Sequence, residues 1–202
     1  MRLLCFGDSN TYGYDPRSYL GERYPAETRW TERLAAATGW EVLEEGQNGR
    51  EIPCRSAEQR TAAETLSQAG RLDVLIVMLG GNDLLQHPDF AAEDAAARME
   101  RFLTALLPHP ALAAGTVLLV APPPMRPGAW VTERRLLTES ARLADCYQAL
   151  ARRLEIPFAD AGQWGVGLLF DGVRFSETGH RAFAEGLRRT LEDWEAQQNR
   201  QN

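Results

Sequence analysis

Four short loops carry the side chains of this 202-residue chain whose types and spacing could do chemistry. The first, Gly7-Asp8-Ser9-Asn10-Thr11-Tyr12-Gly13, follows the apolar run Leu3–Phe6, so a serine hydroxyl stands where a strand would end. Ser9 is a candidate nucleophile there, although Gly, Asp and Ser are also ordinary turn formers. The second, Glu45-Gly46-Gln47-Asn48-Gly49-Arg50, is glycine-rich and able to aim a backbone N–H at the same edge. The third, Leu79-Gly80-Gly81-Asn82-Asp83, sets an amide on a sharp turn, where its NH2 can donate to a developing oxyanion or simply cap the turn. The fourth, Phe170-Asp171-Gly172-Val173-Arg174-Phe175-Ser176, offers Asp171 as a carboxylate able to orient a base.

The elements that must position these loops are legible as apolar runs and periodic stretches. Leu3–Phe6, Val42–Leu43, Val74–Leu79, Val117–Ala121 and Pro157–Ala159 read as buried strands, being short, continuous and bounded by turn formers. Helical spacing covers Thr28–Ala37, Ala57–Ala69, Ala91–Leu107, Thr132–Leu154 and Glu177 to about Gln197, the last with Ser176 as N-cap. In Thr132–Leu154 the stripe is Leu136, Leu143, Tyr147, Leu150 and Leu154. Alternating strands and helices imply a parallel sheet covered on both faces, with ligands bound beyond the carboxyl ends of the strands. All four loops lie on that side.

Composition narrows the function classes. The length suits one domain, expected over residues 1–194, with a polar tail at 195–202. A net charge of −6 argues against a nucleic-acid or anionic-membrane surface and favours a small uncharged ligand. All 22 basic residues are arginine, so no lysine serves as Schiff base, phosphate clamp or general base. Cys5, Cys54 and Cys146 are odd in number and lack metal-ligand spacing, which points to reduced thiols and a cytoplasmic location. The N-terminal segment is too short for a signal peptide, and no stretch approaches a membrane span.

Block by block and in order, the four loops resemble the SGNH hydrolases, also called GDSL esterases. Leu4-Cys5-Phe6-Gly7-Asp8-Ser9, Arg29-Trp30-Thr31, Glu44-Glu45-Gly46, Met78-Leu79-Gly80-Gly81-Asn82-Asp83 and Pro122-Pro123-Pro124 look like the arylesterase and acyltransferase branch. The resemblance covers essentially the whole chain. It implies a flavodoxin-like three-layer α/β/α sandwich with a five-stranded parallel sheet. It also implies a serine esterase or acetyl hydrolase acting on small or acylated carbohydrate-like esters. Ser9 would form an acyl-enzyme, and Ser9 N–H, Gly49 N–H and the Asn82 side chain would bind the oxyanion. Neither metal nor organic cofactor is implied, and similar arylesterases form homo-oligomers.

One position departs from the family. Its last block is Asp-x-x-His, and three residues after Asp171 stands Arg174. A guanidinium has donors only and cannot take the serine proton. His180, in the first turn of the last helix, is the one substitute base among three histidines, and Gly179-His180 also reads as a structural pair. Asn10 and Tyr14 are candidate substrate contacts, and Pro122–Trp130 a stiff connector or a substrate wall. The rival to an enzyme is a pseudoenzyme that keeps the pocket for an ester or sugar ligand. A flavodoxin would have no use for the Gly-Gly-Asn-Asp turn, and a response regulator needs a lysine.

Overall fold

The computed structural model describes residues 1–18 and 20–201. Five strands form one parallel sheet: β1 Arg2–Gly7, β2 Glu41–Gly46, β3 Val74–Met78, β4 Thr116–Ala121 and β5 Phe158–Asp160, in the order β2-β1-β3-β4-β5. Leu3 and Leu4 of β1 pair with Val42 and Leu43 on one side and with Val74 and Leu75 on the other. The strand order reverses between β1 and β3, and in open α/β sheets the crevice outside the strand ends at such a reversal is where ligands bind. The Ser9 loop leaves β1 there and the Asn82 loop leaves β3.

The strands are apolar throughout because both faces are covered. Leu4, Phe6, Leu75 and Val77 point into one core, which they share with Phe102, Leu143 and Tyr147. Leu3, Cys5, Val74 and Ile76 point into the other, with Trp30, Leu34, Phe183 and Leu187. Successive strand side chains alternate faces, so one run fills two cores. Each fully buried Leu or Phe contributes about 1.5–3 kcal/mol relative to exposure.

Among the described residues, seven α-helices complete the layers: α1 Ser9–Tyr12, α2 Trp30–Thr38, α3 Ser56–Ala69, α4 Gly81–Gln86, α5 Ala92–Leu106, α6 Arg134–Leu154 and α7 Glu177–Gln201. The α6 stripe is as its spacing predicts, with Leu136, Leu143, Tyr147 and Leu150 buried and Leu154 packed at the margin. Ser176 caps α7, its Oγ accepting the Gly179 N–H at 3.0 Å. Of the polar tail, residue 202 lies outside the described residues, and α7 continues through Gln201.

Two helices, α1 and α4, occupy segments that read as loops. Both are short and arise from local hydrogen bonding and glycine geometry, not from an apolar period. Asp8 caps α1, its Oδ1 accepting the Asn10 N–H at 2.8 Å. Gly80 opens α4 at φ 115°, a left-handed conformation that favours glycine. A Cβ on Gly46 would lie 2.1 Å from the Tyr12 backbone nitrogen, so the end of β2 packs directly on the turn that holds the serine.

Candidate active site

Ser9 begins α1 and is 3% exposed. Asn10 ties its loop to the last one: its Oδ1 accepts the Phe175 N–H at 2.9 Å and its Nδ2 donates to the Val173 carbonyl at 3.2 Å. The sequence offers Asn10 as a substrate contact; in the structure its amide also joins β1's loop to the Asp171 segment, across 163 to 165 residues of chain.

Asp171 is buried and stands in that segment as the acceptor of two backbone donors. Its Oδ1 takes the N–H groups of Val173 and Arg174, each at 2.9 Å. Its Oδ2 takes Nη1 of Arg174 at 3.3 Å. The guanidinium carbon of Arg174 lies 3.7 Å from the Trp130 ring centroid and 5.4 Å from that of Tyr14. Such stacking over an aromatic face is favourable by about 0.5–2 kcal/mol. Arg174 is thus held by an ion pair and by two rings, and among the described residues its buried Nε has no partner.

On the opposite side stand Gly49 and Asn82. Gly49 adopts φ 73°, and two amide side chains of α4 reach its loop. Gln86 Nε2 donates to the Gly49 carbonyl at 3.1 Å, and Asn82 Nδ2 donates to the Arg50 carbonyl at 2.9 Å. An amide nitrogen carries two N–H groups, and this bond engages one of them. Gly49, Asn82, Arg174, Tyr14, Trp130 and Leu85 line one cavity of about 580 Å³. The structure therefore brings Gly49, Asn82, Tyr14 and Arg174 together, with Asp171 bonded to Arg174 and Ser9 joined to the same cluster through Asn10.

The structure does not bring His180 to this cavity. The residue is 1% exposed, and its ring lies edge-on to Tyr24 at 5.1 Å and to Phe175 at 5.5 Å. Its Nδ1 accepts the Trp30 backbone N–H at 3.4 Å, between α2 and α7. His180, the substitute base that the sequence offers, thus has Nδ1 engaged within the core, and it is absent from the residues that line the cavity. Gly179 is structural for a related reason: a Cβ there would lie 2.1 Å from the Gly167 carbonyl oxygen.

Burial, reinforced by Arg33 and Arg29, lowers His180 to about 4. The unfolded chain binds this proton near pH 6.5 and the folded chain only near 4, so the stability due to His180 is complete above about 6.5 and is lost as pH falls toward 4. The full span corresponds to about 3 kcal/mol. Urea unfolding at about pH 7.5 and 4.5 should show that His180→Asn escapes roughly 2–3 kcal/mol of the acid loss suffered by the unsubstituted chain. Equal losses in both proteins would refute the assignment. Asp8, raised by burial to about 6 against the pull of the Asn10 N–H, Arg174 and Arg50, acts in the opposite sense and is common to both.

Two features escape the sequence reading: the buried, readily protonated Asp8 beside Ser9, and the stacking of Trp130 on Arg174. Asp8 carries a signal of a kind, since an acid that both follows a buried strand and caps a helix is forced inward. For Trp130 the one signal is its place at the end of the Pro122–Trp130 segment.

The sequence matches the GDSL-like lipase/acylhydrolase family over residues 5–182. No curated protein matches it significantly. Among solved structures it is similar to the M. smegmatis aryl esterase, with 30% identity and a TM-score of 0.83 over 95% of this chain and 98% of that one. It is likewise similar to a carbohydrate acetylesterase from Sinorhizobium meliloti, with 26% identity and a TM-score of 0.83 over 96% and 100%. A third, provisionally named arylesterase from Agrobacterium tumefaciens is 33% identical, with a TM-score of 0.83 over 96% and 99%. The family match spans most of the chain and the sheet order is that of these esterases, so the chain belongs to the GDSL-like lipase/acylhydrolase, or SGNH, family of esterase-type hydrolases.

Proposed function

We propose that Ser9 attacks the carbonyl of a small or acylated carbohydrate-like ester and that proton transfer limits its turnover. The reading rests on the meeting of Gly49, Asn82 and Arg174 around one cavity, and on the resemblance by which Arg174 falls at the family's histidine position. The Ser9 Oγ–carbon bond forms as the ester's alcohol departs, and water or a second alcohol then takes the acyl group. Backbone N–H groups at Ser9 and Gly49 and the free N–H of Asn82 receive the oxyanion. Arg174 has no lone pair, so the serine proton leaves to solvent and the rate climbs with pH. The similarity to an aryl esterase and a carbohydrate acetylesterase supports ester substrates of this size. The three unpaired cysteines support a reducing, cytoplasmic setting.

Intact-mass measurement after brief exposure to p-nitrophenyl acetate tests this reading. One acetyl group should appear on Ser9 and be absent from Ser9→Ala. Phenolate release that is equal in the two proteins would overturn it.

A second reading is favoured by the closed Asp171–Arg174 pair under Trp130: a pseudoenzyme that holds an ester or sugar ligand without turnover. Saturable binding with no acetyl on Ser9 would identify it.

A further inference from the structure

The loop that carries Gly49 is gripped from outside the cavity by a charged network that the chemistry above does not use. We propose that Glu51 is a positioning residue, latching this loop so that the Gly49 N–H and the Asn82 amide keep a fixed separation. The inference rests on the reading that these two groups receive the oxyanion.

Nothing lies within 4 Å of a Cβ built on Gly49, so packing on that side does not hold the residue. Hydrogen bonds do so instead. Besides the contacts from Gln86 and Asn82, the Ile52 N–H donates to Asp83 Oδ2 at 3.0 Å. Asp83 is wholly buried on α4, and its Oδ1 accepts Nη1 of Arg98 at 2.9 Å. The same Nη1, from α5, donates to Glu51 Oε2 at 2.7 Å. His87, which closes α4, meets that oxygen through Nε2 at 2.6 Å. Phe90 backs both partners of Glu51, with His87 stacked at 4.4 Å and the Arg98 guanidinium at 4.5 Å from its ring.

The charges are consistent with a latch. Partial burial opposes ionisation of Glu51, yet the bonds from His87 and Arg98 hold its carboxyl below the usual range. Burial raises Asp83, against the Ile52 N–H and Arg98. Arg98 therefore bridges a buried acid on α4 to a half-buried acid on the loop, two residues from Gly49. Removing Glu51 leaves the Asp83–Arg98 pair and the Ile52 contact in place, so the loop loosens without loss of the core beneath it. The Glu51 side chain is 31% exposed, along a second cavity of about 390 Å³ that the same loop lines. Solvent there limits the worth of the ion pair, and its value lies in direction more than in stability.

The test compares the intact chain with Glu51→Ala and Glu51→Gln, by amide hydrogen exchange and by steady-state p-nitrophenyl acetate hydrolysis. In Glu51→Ala, exchange at residues 49–52 should quicken about ten-fold while β3 stays protected. The kcat should fall roughly ten-fold with KM held within about two-fold, because a misaimed donor is felt in the transition state. Glu51→Gln keeps an acceptor for His87 and Arg98 and should restore both readings to within about three-fold. Unchanged exchange at 49–52, equal quickening in β3, or a change confined to KM would overturn the proposal. If the intact chain shows no Ser9-dependent turnover, the esterase reading has failed, and the exchange measurement alone decides the latch.

Discussion

Arg174→His is expected to hydrolyse p-nitrophenyl acetate about 10²–10⁴-fold faster than the unsubstituted chain, the range that a positioned general base supplies. The setting for an imidazole is already built. Asp171 Oδ1 is fixed by two backbone N–H groups, and its Oδ2 is held by nothing stronger than Nη1 of Arg174 at 3.3 Å. Freed of the guanidinium, that oxygen can take a ring N–H and leave the other ring nitrogen to receive the Ser9 proton. The pH profiles should differ in shape as well as height. The unsubstituted chain should climb steadily with pH, whereas Arg174→His should rise through the ordinary histidine range near 6.5 and level off. Loss of the stacking on Trp130 should cost about 0.5–2 kcal/mol, so rates are compared at equal folded concentration. Adding Ser9→Ala must abolish the gain. A variant no faster than its parent, or a parent already level above neutrality, would show that the proton takes another route.

The fold was legible in the sequence because its physics is local and repetitive. A parallel sheet buried on both faces demands continuous apolar strands, so Val74–Met78 and Thr116–Ala121 declare themselves. The long amphipathic helices show their stripes for the same reason. The short helices α1 and α4 do not, since Ser9-Asn10-Thr11-Tyr12 has no apolar period and becomes a helical turn through the Asp8 cap and the contact with Gly46. Ser9, Gly49 and Asn82 stand in loops just beyond β1, β2 and β3, so their shared edge was legible from strand order alone, whereas the roles given to them and to Asp171 came from the family resemblance.

What stayed hidden depends on partners far away in sequence. Asn10 has the chemistry of a pocket residue, and only the Val173 and Phe175 backbone reveals that its amide also ties two distant loops together. His180 sits where a helix begins near the last loop, and the Trp30 N–H and Tyr24 ring that enclose it come from about 150 residues earlier. Glu51, His87 and Arg98 are separated by 36 and 47 positions and converge only when α4 and α5 are packed. No window of sequence contains such a network.

Asn82→Ala should lower kcat about 10²–10³-fold with little change in KM, the cost of removing one donor from an oxyanion site. The amide is aimed before any ligand arrives: α4 starts at Gly80, and the Arg50 carbonyl takes one N–H at 2.9 Å. Its remaining N–H costs no reorganisation when charge develops on the carbonyl oxygen. A ground-state ester carries little charge there, so KM is nearly indifferent and the loss falls on the rate. Asn82→Asp should be worse still, since an ionised carboxylate of the same shape offers an acceptor and a negative charge to an oxyanion. The measurement belongs in both the unsubstituted chain and the Arg174→His background. Oxyanion binding and proton removal act on different atoms, so a loss of similar size in each would mean that both proteins pass through the same Ser9 tetrahedral intermediate. A large loss in Arg174→His alone would mean that, with arginine at 174, ester breakdown bypasses Ser9 and the cavity serves to bind.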